Sequence, residues 1–113
     1  MHEAQAIQTI LDKAVKQARE RNASRITGLH IVIGELSDFT EDAVAFQWEQ
    51  ISKATIAADA KLHFRRVPAE LQCMACFTKY HPEAGNILCP NCGSVGAKVL
   101  SGEEFYLEAL DVT

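Results

Sequence analysis

Residues 25–34 read RITGLHIVIG, from Arg25 to Gly34. Leu29, Ile31 and Ile33 alternate with His30 and Val32, and β-branched residues dominate, so the run predicts a strand. Both faces carry apolar side chains, which predicts a central strand with a neighbour on each edge. Gly34 and the pair Ser37-Asp38 close it. His30 inside this run reads as a packed or hydrogen-bonded core residue.

On the N-terminal side, Ile7, Ile10, Leu11, Ala14, Val15 and Ala18 recur at helical three- and four-residue spacing. They predict a helix from Glu3 to about Asn22, with Gln8, Asp12, Lys13, Lys16, Gln17 and Arg19 on its wet face and Asn22 as its stop. On the C-terminal side a second helix starts near Thr40. Thr40 caps it, Glu41 and Asp42 sit in the first turn where the dipole favours anions, and Phe39 is positioned to staple onto Val44. Val44, Trp48, Ile51 and Thr55 continue one face, and the helix fades before Asp59. Lys61 to Val67 predicts a second strand, with Leu62 and Phe64 alternating against His63 and Arg65, ended by Pro68. His63 is expected to face solvent beside Arg65 and Arg66, a short basic spot on a solvated face. The last strand, Glu104 to Val112, sets Phe105, Leu107 and Ala109 against Tyr106, Glu108 and Leu110.

Between these strands the character changes. Residues 69–100 hold all four cysteines, two of the three prolines, and Gly85, Gly93 and Gly96, with weak apolar periodicity. The fold class expected is α+β: two helices packed on a small mixed three-stranded sheet, with an inserted zinc-ribbon-like module. Residues 1–68 plus 101–113 form the α/β domain, and 69–100 the insertion.

Composition narrows the function classes. The chain has 113 residues, 48% hydrophobic and 23% charged, as in one ordinary globular domain. A net charge of -4 gives no general pull toward nucleic acid or an anionic membrane. No run approaches the roughly 20 apolar residues that span a bilayer. The start, MHEAQAIQTILDK, lacks a basic n-region and an apolar h-region. A cytoplasmic location is expected, where thiols stay reduced.

The four cysteines therefore point to a metal. Cys73-Met-Ala-Cys76 and Cys89-Pro-Asn-Cys92-Gly93 are two C-x2-C pairs separated by twelve residues. A two-residue gap lets a tight turn aim both sulfurs at one ion, and two such knuckles complete a tetrahedron of thiolates with no open position, a structural site. The module's large apolar residues, Phe77, Tyr80, Ile87 and Leu88, would contribute about 1.5–3 kcal/mol each if fully buried. Structural zinc binding contributes about 10–16 kcal/mol in small peptides at neutral pH. The metal, then, decides whether the module folds. C-P-x-C-G also occurs at rubredoxin-type iron sites, but only Phe77 and Tyr80 offer aromatic shielding here, which favours zinc. The bland alternative is two reduced cysteine pairs in an apolar core.

Met1-His2-Glu3 is a second metal motif. Aminopeptidases trim an initiator Met before a small residue, and His2 is large, so Met1 is expected to keep its free amine. The terminal amine, the His2 backbone nitrogen and the His2 imidazole then close adjacent chelate rings in one plane, with Glu3 supplying a fourth donor. Planar nitrogen coordination suits Ni(II) and Cu(II). It requires a neutral imidazole, so affinity should fall on acidification near a pH of about 6.5. A plainer reading leaves Glu3 as a first-turn carboxylate offsetting the helix dipole.

Together the M-H-E start, the I-G-E-L-S run from Ile33 to Ser37, the chain length and the C-x2-C…C-P-x-C-G module resemble the HypA/HybF family, the nickel metallochaperones of [NiFe]-hydrogenase maturation. The resemblance covers essentially the whole chain. It implies a carrier of Ni(II) as cargo and no enzyme, working with a HypB-type GTPase and the [NiFe]-hydrogenase large subunit, and in some bacteria serving urease. It implies His2 as nickel ligand with the Met1 and Glu3 backbone nitrogens, and structural Zn(II) on Cys73, Cys76, Cys89 and Cys92. Some members recruit a histidine of the zinc module to nickel, and His81 is the one available. A carrier must release its ion, which suits few ligands at a chain end.

Other classes fit less well. A nucleic-acid-associated zinc ribbon, acting as an interaction protein without nickel, needs a basic face, yet Lys79 and Lys98 are balanced by Glu70 and Glu83. A zinc hydrolase needs an open metal position, and there is no nucleophile elbow, phosphate loop or H-E-x-x-H helix.

Overall fold

The computed structural model describes residues 3–83 and 85–113, Glu3 through its backbone only. The order along the chain is α1 (Glu3–Glu20), β1 (Ile26–Gly34), α2 (Glu41–Ser52), β2 (Lys61–Val67), β3 (Glu70–Cys73), β4 (Lys79–Tyr80), β5 (Ala97–Ser101) and β6 (Phe105–Val112). β1 is the middle strand of a three-stranded sheet ordered β2-β1-β6. It runs parallel to β2, across the connection that carries α2, and antiparallel to β6. The chain thus leaves this mixed sheet after β2 and returns to it with β6, as the sequence pattern predicts.

One face of the sheet is covered by both helices. Ile7, Ile10, Leu11, Ala14 and Ala18 of α1 are buried against Leu29 and Ile31 of β1, Val44 and Trp48 of α2, and Leu110 of β6, while Val15 is half-buried at the margin. Asn22, in the left-handed conformation at φ 57°, ends α1. Its N–H donates to Arg19 O at 3.0 Å and the Ala23 N–H to Ala18 O at 2.9 Å, which satisfies carbonyls the helix would otherwise leave free. Thr40 caps α2 by accepting from the Ala43 N–H at 3.2 Å. The Phe39 ring stacks on Phe105, with centroids 4.2 Å apart, so the residue expected to staple onto Val44 ties α2 to β6. α2 ends at Ser52, before Thr55. The Thr55 hydroxyl donates to Ser52 O at 2.8 Å and accepts from the Ala57 N–H at 3.1 Å, a local alternative to helix that takes Thr55 off the face expected for it.

Three readings are corrected. In β6 the inward residues are Phe105, Leu107, Leu110 and Val112, whereas Ala109 is exposed. The register steps from Ile31↔Leu107 to His30↔Ala109, leaving Glu108 as an extra residue. Such a bulge swaps the faces of everything beyond it. His30 is hydrogen-bonded but no core residue: it lies on the face without helices, its side chain 39% exposed. Arg65 and Arg66 make no single basic spot, because strand alternation sends them to opposite faces. Arg65 forms a two-pronged pair with Glu108 at 2.7 and 3.2 Å, and Arg66 lies 3.6 Å from Glu41 at the start of α2.

The cysteine segment builds a second sheet, β4-β3-β5, antiparallel throughout. Its buried cluster is Leu71, Cys73, Tyr80 and Cys89, flanked by Cys76 and Ala97. Phe77, Ile87 and Leu88 are exposed, so of the four large apolar residues weighed from sequence only Tyr80 is buried. Glu35 joins the two sheets: its carboxylate accepts from the Ala69 N–H at 2.7 Å, and its own N–H donates to Val67 O at 2.9 Å.

Candidate metal centre

The two C-x2-C turns are built alike. In the first, the Phe77 N–H donates to Cys73 O at 2.9 Å and the Cys73 N–H to Thr78 O at 2.9 Å. In the second, the Gly93 N–H donates to Cys89 O at 2.8 Å and the Cys89 N–H to Ser94 O at 2.9 Å. The residue after each second cysteine turns left-handed, Phe77 at φ 64° and Gly93 at φ 76°. These turns bend the chain back so that both sulfurs of each pair face inward. Tyr80 fixes the connection between them by donating its hydroxyl to Ile87 O at 2.6 Å.

All four Sγ atoms lie within 4.8 Å of one another. Cys73 Sγ is 3.6 Å from Cys92 Sγ, and Cys76 Sγ is 3.6 Å from Cys89 Sγ. A disulfide would need about 2.05 Å. A tetrahedron with metal–sulfur bonds of about 2.3 Å has edges of about 3.8 Å. The cluster therefore fits a four-thiolate metal site and does not fit two disulfides.

Its electrostatics fit the same use. The Asn91 side-chain amide, 3.5 Å from Cys76 Sγ, and the Thr78 hydroxyl at 3.2 Å hold the Cys76 thiol down to about 5. The Cys76 N–H, with the Ala75 N–H, lowers Cys73. At Cys92 the Ser94 N–H favours the thiolate, but the hydrogen bond to Cys73, partial desolvation and the sulfurs of Cys76 and Cys89 outweigh it and push this thiol up to about 12. Some sulfurs are thus prepared as thiolates while another resists adding charge to the cluster. A dication removes that conflict, since it favours every sulfur in its ionised form. Burial first, then the neighbouring cysteines, raise Tyr80, which keeps its phenol neutral and its hydrogen bond to Ile87 intact.

The family model described as "Hydrogenase/urease nickel incorporation, metallochaperone" matches residues 1–112. The chain belongs to the HypA family. It is a metallochaperone, then, and not an enzyme. The hydrogenase maturation factor HypA of Dehalococcoides mccartyi strain 195 is 34% identical over 112 residues, 99% of this chain and 94% of that protein. Its counterpart in Geobacter sulfurreducens is 35% identical over 112 residues, 99% of each chain. The fold matches the solution structure of the nickel metallochaperone HypA from Helicobacter pylori, with a TM-score of 0.70 at 24% identity over 99% of this chain and 97% of that one. A second HypA solution structure gives a TM-score of 0.74 at 23% identity, over 100% and 97%.

The structure brings together all four cysteines singled out in the sequence. Met1 and His2 lie outside the described residues, as does the Glu3 side chain; the Glu3 backbone opens α1. His81 donates from Nδ1 to Ala69 O at 2.7 Å, so one of its nitrogens is used where the two sheets join. Sequence reasoning missed Asn91 and Thr78 as polar partners of the Cys76 sulfur and Glu35 as the link between sheets. A polar residue inside or just after a C-x2-C turn is the signal for the first two; Glu35 was read only as part of I-G-E-L-S. No helix among the described residues is long and apolar enough to cross a membrane.

Proposed function

We propose that this HypA-family chain is a nickel carrier that binds Ni(II) at Met1-His2-Glu3 and holds a structural Zn(II) on Cys73, Cys76, Cys89 and Cys92. Family membership over residues 1–112, a span that includes the M-H-E motif, carries this reading. The amine of Met1, the backbone nitrogen and imidazole of His2 and the Glu3 backbone nitrogen form the planar clasp, with His81 the additional candidate ligand. Cytoplasmic Ni(II) passes by ligand exchange to the large subunit of a [NiFe]-hydrogenase, and to urease where the organism has one, with a HypB-type GTPase as partner. Residues 1–68 and 101–113 form the nickel-binding unit, and residues 69–100 the zinc unit.

The two ions are held on different terms. Zinc gains nothing from a plane and is matched by the four sulfurs, which stand about as far apart as the tetrahedron requires. Nickel is matched by nitrogen in a plane and leaves when the imidazole protonates, at a pH near 6.5 or somewhat below. In the protein with Met1 as its verified first residue, His2→Ala should abolish tight nickel binding while zinc content and the circular dichroism spectrum stay unchanged. Retained nickel affinity refutes the clasp, and a collapsed spectrum shows His2 to be structural.

A further inference from the structure

We propose that the face of the β2-β1-β6 sheet without helices carries a third, solvent-open metal site, formed by His30, His63 and Asp111, for a divalent transition ion of the Ni(II)/Zn(II) kind. The two histidines are direct neighbours across the parallel pair, His30 opposite His63. Their rings lie side by side with centroids 4.7 Å apart and planes 17° from parallel. His30 Nε2 is 2.9 Å from Asp111 Oδ2, and one donor atom from each of the three residues lies within 4.8 Å of the others.

The backbone is arranged to bring the carboxylate there. β6 carries the bulge at Glu108, beyond which Ala109, Leu110 and Asp111 pair in turn with His30, Leu29 and Gly28. A Cβ on Gly28 would stand 2.7 Å from Asp111 Oδ2. The missing side chain is the space over which the carboxylate leans toward His30. An alanine there leaves the backbone undisturbed and requires only the carboxylate to move.

Two imidazole nitrogens and one carboxylate oxygen on one side of an ion are a donor set that zinc, nickel and related ions accept. Metal–ligand bonds of about 2.0–2.2 Å set donor atoms about 3–3.5 Å apart. The His30–Asp111 pair already meets that spacing, and the exposed His63 side chain closes the rest by rotation. The side chains of His30 and Asp111 are 39% and 56% exposed, so the remaining coordination positions face water and the ion exchanges freely. Such a site holds an ion loosely, in contrast to the closed four-sulfur cluster. A purely structural role for Asp111, orienting His30, would not require His63 at all.

The proposal is independent of the N-terminal clasp, and its test removes that clasp. Zinc-loaded protein carrying His2→Ala is titrated with Ni(II), with binding followed by calorimetry and by paramagnetic broadening of histidine ring signals. One ion beyond the zinc should bind per chain and broaden the His30 and His63 rings ahead of His81. In the same background His63→Gln and Asp111→Asn should each weaken binding at least tenfold with an unchanged circular dichroism spectrum, and Gly28→Ala should weaken it as well. No ion bound beyond the zinc, or an ion retained at full affinity in both His63→Gln and Asp111→Asn, overturns the proposal. The chain with His2 intact should bind one further nickel ion, and more tightly, and that additional ion reports on the clasp.

Discussion

Phe77 and Gly93 occupy equivalent places in the two knuckles, yet only one is glycine. Both turn left-handed and both give their N–H to the carbonyl of the first cysteine. The left-handed conformation costs a side-chain-bearing residue about 1–2 kcal/mol, and glycine essentially nothing. Phe77 is 65% exposed and recovers little of this by burial. Phe77→Gly should therefore strengthen the module by up to about 1 kcal/mol, and Gly93→Ala should weaken it by about 1 kcal/mol. At Gly93 a Cβ meets nothing within 4 Å, so its loss is a backbone effect alone. Unfolding of the zinc-bound protein in guanidinium reads both changes; a Phe77→Gly protein less stable than its parent would refute the strain. Asn91 gives a pH prediction. Its amide is the main group holding Cys76 at about 5. A lowered thiol pKa keeps the sulfur ionised, and ligating, as pH falls. Asn91→Ala should therefore move zinc release to higher pH in an acid titration with a chromogenic chelator, and an unchanged midpoint would contradict that role. The glycine in C-P-x-C-G was legible as a turn, but nothing in Cys-Phe-Thr marks Phe77 as left-handed, because that conformation is imposed by the sulfur turn.

The strands and helices were legible where one face is consistently apolar. The α1 stripe and the span and central place of β1 read correctly because their apolar faces are unbroken over several turns or pleats. β6 was misread beyond Glu108 because Ala109 and Leu110 are both apolar and either suits an inward place, so composition alone could not locate the bulge. The consequence is measurable. Leu110→Ala should destabilise the protein by about 2–5 kcal/mol, the range for a buried leucine. Ala109→Glu, on the exposed side, should change stability by no more than about 0.5 kcal/mol. Thermal unfolding of the two variants decides between the registers, and the reverse order would restore the unbulged alternation. The same bulge shifts Asp111 to the face of His30, which is why that cluster was invisible in a simple alternating strand. β3, β4 and β5 escaped notice because they span four, two and five residues and bury little apolar surface.

Two cores of unequal kind stand in one chain. The helix-covered sheet buries twelve apolar residues in its central cluster and is an ordinary hydrophobic core. The cysteine module buries four, two of them cysteines. A cluster so small does not offset the ordering of some thirty residues, and the proposed zinc would supply what is missing. That division was plain in the sequence, because cysteine spacing and the loss of apolar periodicity coincide. The proposed function rests on the other end of the chain, where three residues would carry the cargo site. Nickel and zinc titration of the protein beginning at Met1, set beside the same protein extended by a few residues ahead of Met1, tests this most directly. Extension converts the terminal amine into an amide and removes one donor from the clasp. The predicted result is loss of tight nickel binding with zinc still bound at one ion per chain; equal nickel affinity in the two proteins would contradict the account.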